Sequence, residues 1–378
     1  MKNMDWLDAQ SACALLGVKA QTLYAYVSRH KIRARTDPND SRHSLYAKHD
    51  IEGLLRKMRR PRARADVARA AIRWGDPVLT TAISEVRDGT LWVRERAIED
   101  CAEQMTFEQM AAVLCDTDEV TCPVLQDNPV GASSFVRAMK GLARDVETAP
   151  PMQGQSPAQI AAQAGRLLSV ITGACVGNTD SGPLHDRIAA VWGAGARGAD
   201  TIRRCLVLLS DHELNPSTFA VRVCASTGAS LPAALLAGMA TLSGPRHGGV
   251  ADLTGAALRA TRDGRLATFL NDNAHQAPYA YGFGHPLYPA GDPRAAHLLA
   301  RLPQSSPARQ AVISASSHLG LPPNIDAALA AVSTHFNWPA DAATTLFSIG
   351  RTAGWVAHAI EQVSSGEMIR PRARYRSG

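Results

Sequence analysis

Residues 211–249 read DHELNPSTFAVRVCASTGASLPAALLAGMATLSGPRHGG, and this stretch sets the expectations for most of the chain. Apolar residues at helical spacing fill its middle, and polar residues stand at both ends. Asn215 followed by Pro216 is typical of a helix start, with asparagine as the N-cap and proline at the first position. The stretch therefore predicts helices over 216–228 and 231–242, with His212 just before the first and His247 just after the second.

The polar ends of this stretch, at 210–213 and 243–249, are the first and second of four polar islands in the Ala-rich sequence. The third and fourth lie in GFGHPLYPAGDPRA at 282–295 and PPNIDAALA at 322–330. Glycines beside His285 let the backbone approach a ligand closely, and Asp326 stands at a predicted helix start, where the dipole favours the carboxylate form. Taken singly, each of these residues is also explained by hydrogen bonding or helix capping. Histidines and an aspartate could hold a metal as well, but no pair has the i, i+4 ligand spacing, so no metal site is expected.

The composition and the spacing of apolar residues predict an all-α body. The chain has 378 residues, 46% hydrophobic and 20% charged, which is typical of globular domains. Val/Ile/Thr alternation is scarce, so only a small hairpin over Ala82–Val93 is expected, followed by a capping box at 106–109 and a loop over 145–160. Further helices are predicted at 157–173, 199–210, 251–262, 307–318, 327–336 and 340–360.

The glycine pattern at 193–198 matches GxGxxG but lacks the context of a dinucleotide site. Such a site needs a β-strand before the glycines and a βαβ unit around them. The preceding DRIAAVW has a helical pattern. A connection between two helices is therefore the preferred interpretation.

The charge and the cysteines give expectations about partners and location. Residues 1–65 carry 14 Lys+Arg and 6 Asp+Glu, so the basic character of the chain comes from this segment. It is expected either to meet a polyanion or to form a solvated basic linker. Asp5 and Asp8 argue against a signal peptide, no apolar run is long enough to span a membrane, and the seven cysteines form no pairing pattern, so a cytoplasmic protein with reduced thiols is expected.

The first segment predicts a small winged helix-turn-helix domain over 1–60, followed by a basic linker over 61–78. One helix is expected around Asp8–Leu16 with Leu15 on its buried face, a second over Ala20–His30, then a hairpin, and a last helix capped by Asp50 and running to Leu55. LLGVKAQTLYAYVSRHKIRAR and SLYAKHDIEGLL resemble the DNA-binding modules of MerR-like and excisionase-like proteins. That resemblance implies a recognition helix opened by Lys19, Gln21, Thr22 and Tyr24, with Arg29, Lys31 and Arg33 near phosphates. Docking on the chain's own body or on a protein partner is the alternative.

From about residue 79 to 375 the chain resembles the citrate synthase family. The resemblance is carried by the four polar islands in their order, by FSIGRTAGWVAHAIEQ at 347–362 and IRPRARY at 369–375, and by ISEVRDGTLWVRERAIEDCAEQMTFEQMAAVLC at 83–115. It implies a helical homodimer, with a large domain over 79–248 and 341–378, a small domain over 249–340, and condensation of acetyl-CoA with oxaloacetate without a metal or cofactor.

The resemblance also implies a role for each site residue. Asp326 would remove a proton from the methyl group of acetyl-CoA, and His247 would stabilise the enol. His285 would polarise the ketone of oxaloacetate. The remaining positions would hold the ketoacid, with the last contributed to the neighbouring subunit's site: His212, Arg294, Arg351 and Arg370.

Two departures from the family's pattern concern the acyl-CoA. Pro286 and Pro289 stand where the family often has basic residues near the CoA phosphates, so the residues that bind CoA are not assigned. Arg265, Arg301 and Arg309 are the possible substitutes, and Arg246 replaces a residue that is usually apolar. Two alternatives to a citrate synthase stay open: a 2-methylcitrate synthase using propionyl-CoA, and a DNA-binding regulator whose body senses a metabolite.

Overall fold

The computed structural model describes residues 6–28, 31–38, 40, 43–51, 79–125, 129, 131–177, 180–248 and 250–371. The chain divides into two compact units, Met1–Thr80 and Thr81–Gly378. The predicted linker over 61–78 lies outside the described residues. The division of the second unit into a large and a small domain stays a prediction.

The first unit contains two helices and a three-stranded antiparallel sheet. Its elements are β1 Trp6–Leu7, α1 Ala9–Leu16, α2 Ala20–Ser28, β2 Ala34–Thr36 and β3 Ser44–Ala47, and the strand order is β1-β3-β2. Asp8 caps α1 by accepting from the Ser11 N–H, and Gly17 ends it in the left-handed conformation, as its place in the sequence predicts. A small apolar core holds Ala12, Leu23 and Ile51.

Two details of the first unit differ from expectation. Leu15 is 45% exposed, whereas Ala12 and Leu16 are buried, and Ala9 and Cys13 of the same helix pack partly buried against the core. Asp50 does not cap the last helix: residues 48–51 are already helical, and its carboxylate instead accepts from Nε and Nη2 of Arg33 at 2.7 and 2.8 Å. Arg29 and the end of that helix at Leu55 lie outside the described residues.

The second unit opens with a small antiparallel sheet and continues with helices. Strands β4 Ser84–Arg87 and β5 Thr90–Val93 form the predicted hairpin, and the short β6 Arg96–Ala97, which was not predicted, pairs with β5. The helices are α3 Ile98–Gln104, α4 Phe107–Cys115, α5 Ser134–Val146, α6 Pro157–Ala161, α7 Ala164–Val176, α8 Leu184–Trp192, α9 Gly195–Leu209, α10 Pro216–Ala225, α11 Leu231–Leu242, α12 Val250–Arg262, α13 Leu266–Asp272, α14 Pro293–Ala300, α15 Pro307–Leu319, α16 Ile325–His335 and α17 Ala342–Ser365.

Helix α17 is the centre of this unit. Most of its residues from Ala342 to Gln362 are buried, and it packs against α4, α7, α9, α10 and α11. Helices α12, α14 and α15 pack instead around α16. One end of α16 and the inward face of α17 therefore lie beside the loops that carry the polar islands.

Several local predictions are confirmed, and others need new boundaries. Thr106 and Gln109 form the predicted capping box, and α11 spans the predicted residues. The expected loop over 145–160 is shorter, because α5 runs to Val146 and α6 starts at Pro157. Gly193 ends α8 in the left-handed conformation and α9 starts at Gly195, so the GxGxxG match lies where two helices meet.

All seven cysteines are free thiols, and burial raises the pKa of Cys115, Cys122 and Cys175 to about 12. No helix in the described part of the chain is long and apolar enough to cross a membrane.

Candidate active site

The third and fourth polar islands are paired by backbone hydrogen bonds. Gly284 N–H donates to Pro322 O at 2.7 Å, and Asn324 N–H donates to Gly282 O at 2.9 Å. Gly282 has φ +87°, and a Cβ there would press on Thr254 and on the Ala327 N–H. This close pairing brings His285 and Asp326 to the same end of α16.

Asp292 ties the same two islands together through side chains. Its carboxylate accepts from Nε of Arg294 at 3.0 Å and from Nη2 of Arg294 at 2.8 Å, and also from the Ile325 N–H at 3.1 Å. Both partners are almost completely buried, so the Arg294 guanidinium has a fixed orientation beside the start of α16. Nη1 of Arg294 has no hydrogen-bond partner among the described residues, so it is left for a further acceptor.

Three rings from the first and third islands lie in contact. The ring centroids of His212 and His285 are 5.2 Å apart in an edge-to-face arrangement, and Nε2 of His212 is 3.0 Å from the hydroxyl of Tyr288. Nδ1 of His285 accepts from the Leu287 N–H at 3.2 Å, which leaves the proton of the neutral ring on Nε2. His285 is therefore a hydrogen-bond donor through Nε2.

His247 is held between the second island and α17. Its Nε2 is 2.8 Å from the hydroxyl of Ser217, which stands in the first turn of α10, and its ring meets that of Phe347 edge-to-face at 6.2 Å. His247 follows a tight turn in which its own N–H donates to Gly244 O at 2.9 Å. Gly249, two residues after His247, lies outside the described residues.

Arg351 projects from the middle of α17 and is 2% exposed. Nε donates to Leu209 O at 2.9 Å, and the guanidinium carbon lies 4.9 Å from the centroid of the Phe347 ring. Neither Nη1 nor Nη2 has a hydrogen-bond partner among the residues that the structure describes. A buried cation with two open donors favours an anionic ligand.

The site residues shift one another's pKa values, so they share one electrostatic environment. Burial raises the pKa of Asp326 to about 6, although Arg294 and Arg351 act against the rise. Burial, reinforced by Arg351, lowers the pKa of His247 to about 4, and burial with Arg294 lowers that of His285 to about 4. At neutral pH the site thus combines a carboxylate of raised basicity with neutral imidazoles.

One expectation about Asp326 is wrong in sign. Its place at the start of α16 is confirmed, with its N–H bonded to the side chain of the N-cap Asn324 at 3.0 Å. The helix start was expected to favour the carboxylate form. Burial has the larger effect and moves the pKa upward.

The family model for the citrate synthase C-terminal domain matches residues 132–372, which is well over half of the chain and includes every residue of this site. The chain belongs to the citrate synthase family. The N-terminal unit lies outside the matched residues.

Curated relatives agree with this assignment. Citrate synthase 2 of Bacillus subtilis is 34% identical over 189 residues, which cover 47% of this chain and 50% of that protein. 2-Methylcitrate synthase 2 of Corynebacterium glutamicum is 27% identical over 260 residues, covering 65% of this chain and 64% of that one. In the alignments with the citrate synthases, the chain spans about half the length of the relatives it matches.

Solved structures share the fold. A citrate synthase from Thermoplasma acidophilum, in a ternary complex with carboxymethyl coenzyme A and oxaloacetate, superposes with a TM-score of 0.66 at 22% identity, covering 80% of this chain and 94% of that one. Citrate synthase from Thermotoga maritima gives a TM-score of 0.65 at 21% identity, with the same coverage. The mainly helical citrate synthase fold is thereby confirmed.

The predicted site residues divide into a connected group and an outlier. The contacts above link six of the seven predicted residues through shared neighbours and mutual electrostatic effects: His212, His247, His285, Arg294, Asp326 and Arg351. Arg370 is exposed on the segment after α17, and the neighbouring Ile369 N–H donates to Ser226 at the end of α10. No contact joins Arg370 to the other six within the described chain.

The possible substitutes for the family's CoA-binding residues have partners elsewhere. Arg265 pairs with Asp263 at 2.6 Å, Arg301 pairs with Glu103, and Arg309 donates to Leu302 O at 2.7 Å. Arg246, which immediately precedes His247, is exposed. Of the four arginines considered, Arg246 alone is adjacent in sequence to a site residue.

Tyr288 and Asp292 lie in the third polar island, but no role was predicted for either residue. Asp292 could have been noticed, because an aspartate before Pro-Arg at a helix start can cap the helix and pair with the arginine. Tyr288 gave no comparable signal, since its contact with His212 joins residues 76 positions apart. The contact of Ser217 with His247 could not be predicted for the same reason, because the two residues lie 30 positions apart.

Proposed function

We propose that this chain condenses acetyl-CoA with oxaloacetate and water to citrate and CoA. The observation that carries the proposal is the arrangement around Asp326: a carboxylate of raised pKa, three histidines and two buried arginines, all from the matched part of the family. A related citrate synthase binds oxaloacetate and a CoA analogue in its solved ternary complex. A ketoacid dianion and a thioester are the substrates that such a set of groups suits.

Oxaloacetate would be held by the arginines. Nη1 and Nη2 of Arg351 and Nη1 of Arg294 would donate hydrogen bonds to its carboxylates, and His212 would hydrogen-bond beside them. His285 would donate from Nε2 to the ketone oxygen and deliver the proton as that oxygen becomes a hydroxyl. A neutral donor stabilises the negative charge that develops on the ketone oxygen in the transition state. A full positive charge would stabilise the bound substrate equally well and would therefore not lower the barrier.

Asp326 and His247 would share the enolisation of the thioester. The methyl group of a thioester is a very weak carbon acid, so the base and the group that stabilises the new oxygen must act together. Asp326 removes a methyl proton, and the resulting carbon attacks the polarised ketone. Nε2 of His247 is 2.8 Å from the Ser217 hydroxyl, which holds the ring in place, and His247 would donate a hydrogen bond to the thioester oxygen. Water then hydrolyses the citryl thioester, which releases CoA.

Two further parts of this proposal concern assembly and closure. The family pattern implies a homodimer in which Arg370 reaches the neighbouring subunit's site, and its exposed position after α17 is compatible with that role. A large and a small domain would close over the substrates and exclude water from the enol. The cytoplasmic location and the absence of a cofactor remain predictions.

The test is release of free CoA thiol from acetyl-CoA, with and without oxaloacetate. Release that depends on oxaloacetate supports the proposal, and propionyl-CoA measured in parallel decides between citrate and 2-methylcitrate formation. One methylene changes discrimination by only about 1–3 kcal/mol, so both thioesters are needed. Purified chain that binds oxaloacetate but releases no thiol from either substrate points to the metabolite-sensing alternative.

A second candidate function, binding of duplex DNA, concerns the first unit. Helix α2 exposes Gln21 and Tyr24, the latter 54% exposed, and Lys19 and Lys31 are exposed beside it. The segment 1–65 also has the basic excess that phosphate contacts need. Arg33 is the exception among the proposed phosphate contacts, because Asp50 already holds its guanidinium.

Retardation of random-sequence duplex DNA by the full chain tests this candidate. Lys19→Ala and Tyr24→Ala should weaken binding, and the binding constant should fall steeply with salt as counterions are released. Arg265→Ala is the control, because it removes one exposed positive charge from the second unit and leaves α2 unchanged. Equal binding by all three variants and the unmodified chain would rule out α2 as the contact.

A further inference from the structure

A buried pair that takes no part in the proposed chemistry lies directly behind the site. Asp211 and His358 are both 0% exposed, and Nε2 of His358 is 3.3 Å from Oδ1 of Asp211. Burying a carboxylate is unfavourable unless its partners compensate, so the position demands an explanation. Asp211 immediately precedes His212 in the chain.

The pair is one of three consecutive contacts between α17 and residues 209–211 at the end of α9. Arg351 donates to Leu209 O at 2.9 Å, Gly354 N–H donates to Ser210 O at 2.9 Å, and His358 faces Asp211. Three positions on one face of the helix thus meet three consecutive residues of the segment. A Cβ at position 354 would clash with both Ser210 O and Asp211 Oδ1, so glycine is what permits this approach.

The hairpin fixes the same segment from its other side. The Ser84 hydroxyl donates to Oδ2 of Asp211 and accepts from the Glu213 N–H at 3.1 Å. The Glu213 carboxylate in turn accepts from the Val86 N–H at 2.5 Å. Asp211 and Glu213 are therefore anchored on either side of His212.

The charges support a carboxylate at Asp211. Burial acts to raise its pKa, but His358 and Arg351 outweigh that effect and hold the pKa below its ordinary value. In return, the Asp211 charge acts against the burial that lowers the pKa of Arg351 to about 10. The buried Asp211 carboxylate thus opposes the loss of charge at the guanidinium within the site.

We propose that Asp211 and His358 are positioning residues for the ketoacid subsite: by locking residues 209–213 onto α17, they hold His212 and Arg351 toward the same ligand. This inference rests on the proposed function, since it assigns oxaloacetate to that subsite. It predicts a defect specific to oxaloacetate, whereas a merely structural role would affect both substrates or only the fold.

The test compares Asp211→Asn and His358→Gln with the unmodified chain by calorimetric titration of oxaloacetate and by steady-state kinetics. Each variant should weaken oxaloacetate binding by about tenfold or more, as expected for breaking a buried pair, and leave the KM for acetyl-CoA unchanged. The double variant should bind oxaloacetate no more weakly than whichever single variant binds it less tightly, because the two residues act as a unit. His185→Gln is the matched control: it removes a buried histidine beside Asp186 on α8 and should leave oxaloacetate binding unchanged.

The possible outcomes separate this inference from the proposed function. Unchanged oxaloacetate binding by folded Asp211→Asn overturns the positioning role alone. An unmodified chain that does not bind oxaloacetate overturns the proposed function, and this inference with it. Where near-UV circular dichroism shows that Asp211→Asn has not folded, Ser84→Ala decides instead, since it removes only one partner of the carboxylate: weaker oxaloacetate binding supports the role, and unchanged binding overturns it.

Discussion

Nε2 of His212 lies 3.0 Å from the hydroxyl of Tyr288, and both side chains are buried. Burial together with Arg294 and His285 lowers the pKa of His212 well below its ordinary value, and burial raises that of Tyr288. Both groups are therefore neutral at physiological pH. Their hydrogen bond joins the first polar island to the third and sets the orientation of one ring that faces the proposed ketoacid.

Replacing Tyr288 by Phe should raise the KM for oxaloacetate between about 3- and 10-fold, because His212 loses a buried hydrogen bond and with it a fixed orientation. Steady-state kinetics at saturating acetyl-CoA measures the change. Tyr279→Phe, at a partly exposed tyrosine nine residues earlier, is the control and should match the unmodified chain. A Tyr288→Phe variant with unaltered KM would show that His212 does not need this contact.

Asp326→Asn should reduce kcat by several orders of magnitude while oxaloacetate binding is retained, because the amide cannot accept the methyl proton. The same substitution should not lower the melting temperature at pH 7.5, since burial disfavours the carboxylate that it removes. Asp252→Asn, on the exposed first turn of α12, controls for the change of charge. Loss of oxaloacetate binding in parallel with kcat would mean that Asp326 binds the ketoacid instead.

The acid limb of kcat/KM should have its midpoint near pH 6. Asp326 must be ionised to act as the base, and its pKa in the free protein is about 6. His247 and His285, with pKa values of about 4, are neutral across this range and contribute no limb there. A profile of kcat/KM for acetyl-CoA from pH 5 to 9 measures it. Activity that stays constant down to pH 5 would exclude a base with this pKa.

His285→Gln should make the stability of the fold less sensitive to acid. Folding lowers the pKa of His285 from about 6.5 to about 4, so between these values the unfolded chain binds a proton that the folded chain does not. Stability is therefore lost as the pH falls through this window, and the glutamine variant should lose less of it. Urea unfolding at pH 5 and pH 7.5 gives the difference, with His318→Gln on the exposed side of α15 as the control. An equal loss in His285→Gln and in the unmodified chain would contradict the lowered pKa.

Much of the helical framework could be predicted because it depends on local sequence. Asn215 and Pro216 mark the start of α10, and Thr106 with Gln109 marks that of α4, through contacts within one turn. Leu15 was wrongly predicted to lie on the buried face of α1. The spacing of apolar residues indicates which face of a helix is buried, but not how wide the buried part of that face is in a small core. The strand β6 was missed because two residues carry no readable alternation.

The site could be predicted in its members but not in its connections. Arg294 was assigned to the ketoacid from its motif, whereas its pairing with Asp292 depends on side-chain conformations that the motif does not specify. The upward shift of the Asp326 pKa required knowing how deeply the start of α16 is buried. The contact between Asp211 and His358 could not be predicted, because the two residues lie nearly 150 positions apart and sequence spacing does not indicate contacts over that separation.

The most direct test of the central claim is the fate of labelled carbon. With acetyl-CoA labelled with ¹³C at the methyl group, oxaloacetate and the full chain, NMR should show the label in a methylene group of citrate, and Asp326→Asn should abolish this signal. Label recovered as free acetate, or left in acetyl-CoA while oxaloacetate is bound, would contradict a site in which Asp326, His247 and His285 act together to form a carbon–carbon bond.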